Sequence, residues 1–164
     1  MDYKSIFTFD TEWNYRSLGM LIFLIFLPNL LGLINMPTVF GFKIHIFQVA
    51  IFIAAVIYGP TGGLLSGLVG STYSAFIMHN PYIIVGNMLL GFFVGFFARY
   101  KIHTVIAVIL AYVIQLPWLI LTDYYLVGLS AGFITALVIA LAVSNIIWAV
   151  VAHYTALPLK RSLS

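Results

Sequence analysis

TVIAVILAYVIQLPWLIL, residues 104–121, runs for eighteen residues without a charge. A helix needs about 20 mainly apolar residues, within a range of roughly 17–25, to cross the hydrocarbon core of a bilayer. The stretch therefore reads as a transmembrane helix. It is bounded by Arg99 and Lys101 on one side and by Asp123-Tyr124-Tyr125 on the other.

Cutting the rest of the chain at charges, prolines and polar clusters gives five further spans: residues 17–36, 44–58, 63–78, 82–97 and 128–152. The second is short and stops at Gly59-Pro60-Thr61-Gly62, a strong turn signal. The third ends at His79-Asn80-Pro81. Residues 1–16 form a polar, amphipathic start that suits the membrane interface. Asp2, Asp10 and Glu12 precede the first apolar run, so this start does not read as a secretory signal. The expected fold is all-α: one polytopic membrane domain over residues 1–164, a six-helix bundle over about 17–153, and a basic tail over 154–164.

Composition agrees. Hydrophobic residues make up 63% of the chain and charged residues 7%, against about 25% charged in a soluble domain. Lipid is the solvent that accommodates so much apolar surface. The net charge of +3 is not gathered on a face, which argues against nucleic acid as a partner. Cysteine is absent, so disulfides and thiolate metal sites are excluded.

Six spans place both termini on one side. If that side is cytoplasmic, it holds Lys4, Arg16, Arg99, Lys101, Lys160 and Arg161, and the outside holds Lys43. The bias follows the positive-inside rule.

Small residues recur at helical spacing. Gly63, Gly67 and Gly70 share one face of the third span, Gly91 and Gly95 one face of the fourth, and Ala50 and Ala54 one face of the second. Such spacing lets helix backbones approach closely in lipid. Two readings stand: packing within the chain, or a face (Ala50, Ala54, Gly63, Gly67) that docks another membrane subunit.

The polar residues inside the spans have a side. Asn29, Asn35, His45, Gln48, Tyr73, His79, Asn80, Tyr82, Asn87, Gln115 and Trp118 fall in the outer half or at the outer ends, with Asp123 just beyond. Ser144 and Asn145 break the trend. Polar groups in hydrocarbon are costly unless paired, so they face the bundle or a wet cavity. Their bias points to a pocket open to the outside. Candidate solute-binding residues are Asn35, His45, Gln48, His79, Asn80, Asn87, Gln115, Trp118 and Asp123. Each has a plainer reading: interfacial belt for Trp118, Tyr82, Tyr124 and Tyr125, helix-to-helix bonding for the amides, and a solvated loop residue or partner of Lys43 for Asp123. His45 and His79 lack the paired spacing of a metal site.

Chemistry has no evident machinery here. The sequence lacks Gly-x-Ser-x-Gly, His-Glu-x-x-His, a P-loop and paired carboxylates in the spans. Neither an enzyme nor a bound cofactor or metal is expected. What remains is a solute binder that draws energy from others, or a structural membrane scaffold.

AIFIAAVIYGPTGGLLSGLVG, residues 50–70, resembles the second turn and third helix of the S components of energy-coupling factor (ECF) transporters, where Gly-Pro precedes spaced glycines. Length, six spans and the short second span fit the same family. The resemblance implies a subunit of the plasma membrane, surrounded by lipid, that captures a vitamin-like solute or a metal ion from outside. It also implies a transmembrane T component and two cytoplasmic ATPases as partners, and a loop, here residues 37–43, that closes over the cargo. Many S components dock through Ala-x-x-x-Ala in the first helix; here that pattern lies in the second, at Ala50 and Ala54. The nickel and cobalt members carry a histidine near the N-terminus. This chain has none, and its aromatic and amide content favours a flat organic cargo.

Overall fold

The computed structural model describes residues 8–11, 14–34, 36–37 and 43–163. Its elements are α1 (Tyr15–Gly32), a two-residue antiparallel pair β1 (Met36–Pro37) and β2 (Lys43–Ile44), α2 (Gln48–Gly70), α3 (Thr72–Ile77), α4 (Tyr82–Arg99), α5 (Thr104–Ile120), a π-helical turn (Leu121–Leu126) and α6 (Ala131–Leu163). Five segments are long and apolar enough to cross a membrane. The sequence reading has six, because it separates two spans that here share the segment Gln48–Ile77.

That segment is not straight. Gly59 lies outside helical geometry at φ 75° and ψ −160°, a region that suits glycine, and Pro60 follows with no N–H to continue the ladder. The contacts on either side show a reversal. Ser144 and Lys160 of α6 bond Gln48 and the Val56 carbonyl, so the first arm of α2 runs parallel to α6. From the break onward the partners lie on α1: Tyr58 and Ser66 donate to the Ser17 and Leu24 carbonyls and Asn29 donates to the Val69 carbonyl, so the second arm runs parallel to α1. The Asn14 amide meets the Leu163 carbonyl; the start of α1 and the end of α6 therefore share one end of the bundle. The first arm approaches that end, and the second leaves it.

Glycine makes the reversal and its packing possible. A side chain on Gly59 would meet the Arg99 guanidinium and the Asp10 carboxylate. Gly63 lies against the backbone of Gly91, Gly67 against that of Asn87, and Gly95 against Gly59 and Pro60. The two arms and α4 thus cross with backbones nearly in contact. Ala50 and Ala54 are fully buried in the same core. The docking face expected on Ala50, Ala54, Gly63 and Gly67 is corrected accordingly: these residues are consumed by packing within the chain and offer a partner no surface.

α2 is the hub. In its most apolar window 78% of residues are buried, against 22–39% in the other four long segments. The outer helices turn Leu, Ile, Val and Phe outward, as lipid requires. At the shared end, the carbonyls freed by the break at Gly59 find donors: Thr11 Oγ1 donates to Ile57 at 2.9 Å and Lys160 Nζ to Val56 at 3.3 Å. Arg99 Nε donates to Asp10 at 2.8 Å. The basic residues Arg16, Arg99, Lys160 and Arg161 gather at this end. Residues 154–163, expected as a separate tail, continue α6 as helix.

Candidate functional site

A pocket with about 700 Å³ of space, counting the solvent at its mouth, lies toward the other end of the bundle. Four elements frame it: the start of α2, the turn from α3 into α4, the C-terminal half of α5 with its π-helical turn, and the first half of α6. Its walls are mostly apolar, with Phe47, Ile83, Leu119, Phe133, Leu137 and Leu141. Residues 133, 137 and 141 fall at every fourth position of α6, one face of that helix.

Into this apolar frame the fold brings His45, Gln48, Asn80, Asn87, Gln115, Trp118 and Asp123. Gln48 opens the first arm of α2 and accepts from the Ser144 hydroxyl at 3.4 Å. The His45 backbone N–H donates to the same hydroxyl at 3.2 Å. Ser144, which broke the outward trend in sequence, thus marks how deep the second span begins. Asn87 is 4% exposed. The Gln115 amide packs 3.1 Å from where a side chain on Gly86 would begin, so glycine at 86 makes its room. Trp118 donates its indole N–H to the Tyr82 carbonyl at 3.1 Å, and the two rings meet edge to face at 6.4 Å. Asn80 Nδ2 donates to Asp123 Oδ1 at 2.7 Å.

Two expected residues stand apart. His79 is exposed and outside the lining, in a left-handed conformation at φ 51°; the chain turns there, and the next residue, Asn80, points inward. His79 is therefore removed from the cavity. Asn35 lies outside the described residues, as does most of the loop expected to close over the cargo. Asp123, which sequence left open between loop and ligand, is buried within the π-helical turn.

Unsatisfied polar atoms mark what the cavity wants. Gln115 Oε1 is buried without a hydrogen-bond partner among the described residues. Asn145 and Trp148 of α6 also hold buried side-chain atoms without a partner, but they lie deeper in the bundle and outside the cavity lining. A buried acceptor left unmade costs roughly 1–3 kcal/mol, so such groups call for a ligand or water. The chemistry available is binding: amides to bond polar edges, aromatic rings to stack, and one carboxylate.

A multi-pass helical membrane protein with an apolar-walled, amide-lined cavity toward one end is a membrane solute-binding protein in form. Its relatives make the class specific. Residues 16–164 match the ECF-type riboflavin transporter S component family, and the chain belongs to that family. A solved structure of the S component of a bacterial ECF transporter shares its fold, with a TM-score of 0.58, 23% identity, and coverage of 90% of this chain and 95% of that one. No curated protein sequence matches the chain. The protein is thus a multi-pass membrane transport subunit, not a member of a known enzyme family.

Proposed function

We propose that this chain is the solute-capture subunit of an ECF-type importer. It crosses the plasma membrane six times, the Gly59 reversal supplying the extra pass, with both ends in the cytoplasm. Its cargo is riboflavin or a close flavin, taken from the extracellular side. A T component and two cytoplasmic ATPases supply the energy.

One observation carries the reading. The amides of Gln48, Asn87 and Gln115 and the ring of Trp118 converge on a cavity at the end of the bundle opposite Arg16, Arg99, Lys160 and Arg161. The positive-inside rule makes the basic end cytoplasmic. A flat heteroaromatic ring system satisfies both halves of the lining, with edges for the amides and a face for the indole. The family's name supports the flavin among flat solutes.

The test is a titration of the detergent-purified protein with riboflavin, read by quenching of flavin fluorescence and by thermal unfolding. Saturable one-to-one quenching is expected. At a free concentration 100 times Kd, stabilisation should reach about 2.7 kcal/mol, or roughly 5–11 °C in a chain of this size. Absence of both effects at 100 µM (about a hundredfold above a micromolar Kd) would sink the proposal and return the scaffold reading.

A further inference from the structure

The turn from Tyr100 to His103 joins two segments that cross the membrane, Tyr82–Arg99 and Thr104–Leu126, so it lies at the membrane surface. The Thr104 hydroxyl and His153 Nδ1 share a 3.0 Å hydrogen bond, which sets His153 of α6 at the same depth. The rings of His103 and His153 lie 4.2 Å apart with a tilt of 35°, and Tyr154 packs edge-on against His153 at 5.4 Å. His103 and Tyr154 are exposed. Lys101 is exposed in the same turn and holds φ 60° directly after the cap of α4. Glycine is the usual occupant of that position. A lysine in the left-handed region carries a backbone cost that glycine would not. Strain kept at a charged position is a reason to look for its use.

The two histidines are arranged as donors. His103 Nδ1 accepts from Val105 N at 3.4 Å, as the cap of α5. A neutral imidazole that accepts at one nitrogen carries its proton on the other. His103 Nε2 therefore donates, which suits an anion and not a metal ion. Asp10, an acid at this end of the bundle, is already engaged by Arg99 and Lys160. Deeper in the membrane the same two helices turn apolar side chains outward: Ile106, Ile109 and Val113 on α5, Ile146 and Val150 on α6. A cation and hydrogen-bond donors at the surface thus adjoin an apolar stripe below them.

We infer that the turn between α4 and α5, with His153 facing it, is a binding site for an anionic phospholipid. The headgroup phosphate sits at Lys101 and the histidine pair, and the acyl chains lie along the outward faces of α5 and α6. Lipid covers those faces in any membrane; the charge at their edge selects which lipid. A lysine at a bilayer surface attracts anionic lipid with about 1 kcal/mol, or about a fivefold preference. The proposed topology puts the site in the cytoplasmic leaflet. The inference needs the membrane crossings alone and holds whatever the cargo of the main cavity.

The test reconstitutes the full-length protein into vesicles of equal parts phosphatidylglycerol and phosphatidylcholine. The protein is extracted in mild detergent, and the lipids retained are counted by mass spectrometry. Wild type should keep phosphatidylglycerol over phosphatidylcholine by at least about fivefold. Lys101→Gly removes the charge and relieves the backbone, and His103→Asn keeps a capping acceptor for α5 while losing Nε2. Each should lower the ratio at least about threefold. Arg16→Gln takes the same charge from the same end of the bundle, on α1 and outside the site, and should leave the ratio within about twofold of wild type. A wild-type ratio near one would overturn the inference. So would equal losses in Arg16→Gln and Lys101→Gly, which would reduce the effect to overall surface charge, or a His103→Asn ratio equal to wild type. Extraction in inorganic phosphate instead of chloride, at matched ionic strength, separates the two sources of phosphate. Retained phosphatidylglycerol supports the lipid site, and its selective loss would assign the cluster to a soluble phosphate instead.

Discussion

Replacing Gly63 by alanine should loosen the crossing on which the bundle is built. The added methyl would overlap the Gly91 backbone and come within 2.8 Å of the Ala55 methyl. Ordinary carbon contacts lie at about 3.5–4.0 Å. The obstacle on α4 is backbone and cannot rotate away, so α2 and α4 must separate. Gly59–Gly95 and Gly67–Asn87 lie along the same crossing, and a gap of about 0.5–1 Å forfeits a quarter to a half of each dispersion well there. Overpacking of this kind costs about 1–3 kcal/mol, and two-sided backbone contact argues for the upper end. Alanine recovers about 1 kcal/mol of helix propensity. The net loss is about 2 kcal/mol, or a drop of roughly 4–8 °C in apparent Tm. Gly19→Ala and Gly132→Ala serve as controls, since a side chain at either meets nothing within 4 Å. Both should melt at or slightly above the wild-type temperature. The assay is thermal unfolding of the three variants in one detergent, followed by loss of the monodisperse peak. If Gly63→Ala melts with the controls, the close-crossing argument is wrong.

Three other outcomes are expected. Tyr58→Phe removes the 2.7 Å bond from the tyrosine hydroxyl to the Ser17 carbonyl in a buried setting; it should cost about 1 kcal/mol, seen as roughly 2–4 °C in the same melt. Arg99→Gln breaks the bond to Asp10 and the 2.6 Å bond to the Thr8 carbonyl. Both side chains are about one-fifth exposed, so the loss should be about 1–2 kcal/mol, and the gap to wild type should narrow in high salt. Gln115→Leu should act with opposite signs on stability and binding. It removes a buried unpaired acceptor, so the empty protein should melt no lower than wild type, while riboflavin affinity should fall about 5- to 100-fold by titration. Equal affinity in this variant would remove Gln115 from the site.

The long helices were legible because lipid demands uninterrupted apolar runs, and this chain separates them with Pro, Gly and charge. The turn at Gly59-Pro60 was legible for the same reason. Its tightness was not: a one-residue break with φ 75° leaves the two arms in one segment when judged by length alone. The lining of the cavity was partly legible. Gln48, Asn87, Gln115 and Asp123 stood out because a polar group in hydrocarbon needs a reason to be there. The apolar majority of the wall did not, since Leu137 or Phe133 reads the same whether it faces a ligand, a helix or a lipid chain. His79 misled because at a membrane surface a polar side chain can face outward at no cost. The small residues left two readings open for a related reason. Glycine and alanine at helical spacing announce a close approach without saying whether the other party is the same chain.

The first arm of α2, Gln48–Tyr58, spans about 16 Å at 1.5 Å per residue. The hydrocarbon core is about 30 Å thick. On the six-pass reading proposed above, about nine residues of helix are therefore missing above Gln48, a length of roughly 14 Å. The cavity opens there, with His45, Phe47 and Gln48 as its floor on that side. It is a subtraction: one column in the bundle stops short, and the full-length flanks of its neighbours become walls. The glycine crossings at Gly63–Gly91 and Gly59–Gly95 lie below the void. Residues facing the void can therefore drift toward a different cargo without disturbing what keeps the columns upright, and scaffold and appetite evolve on separate floors of the same building.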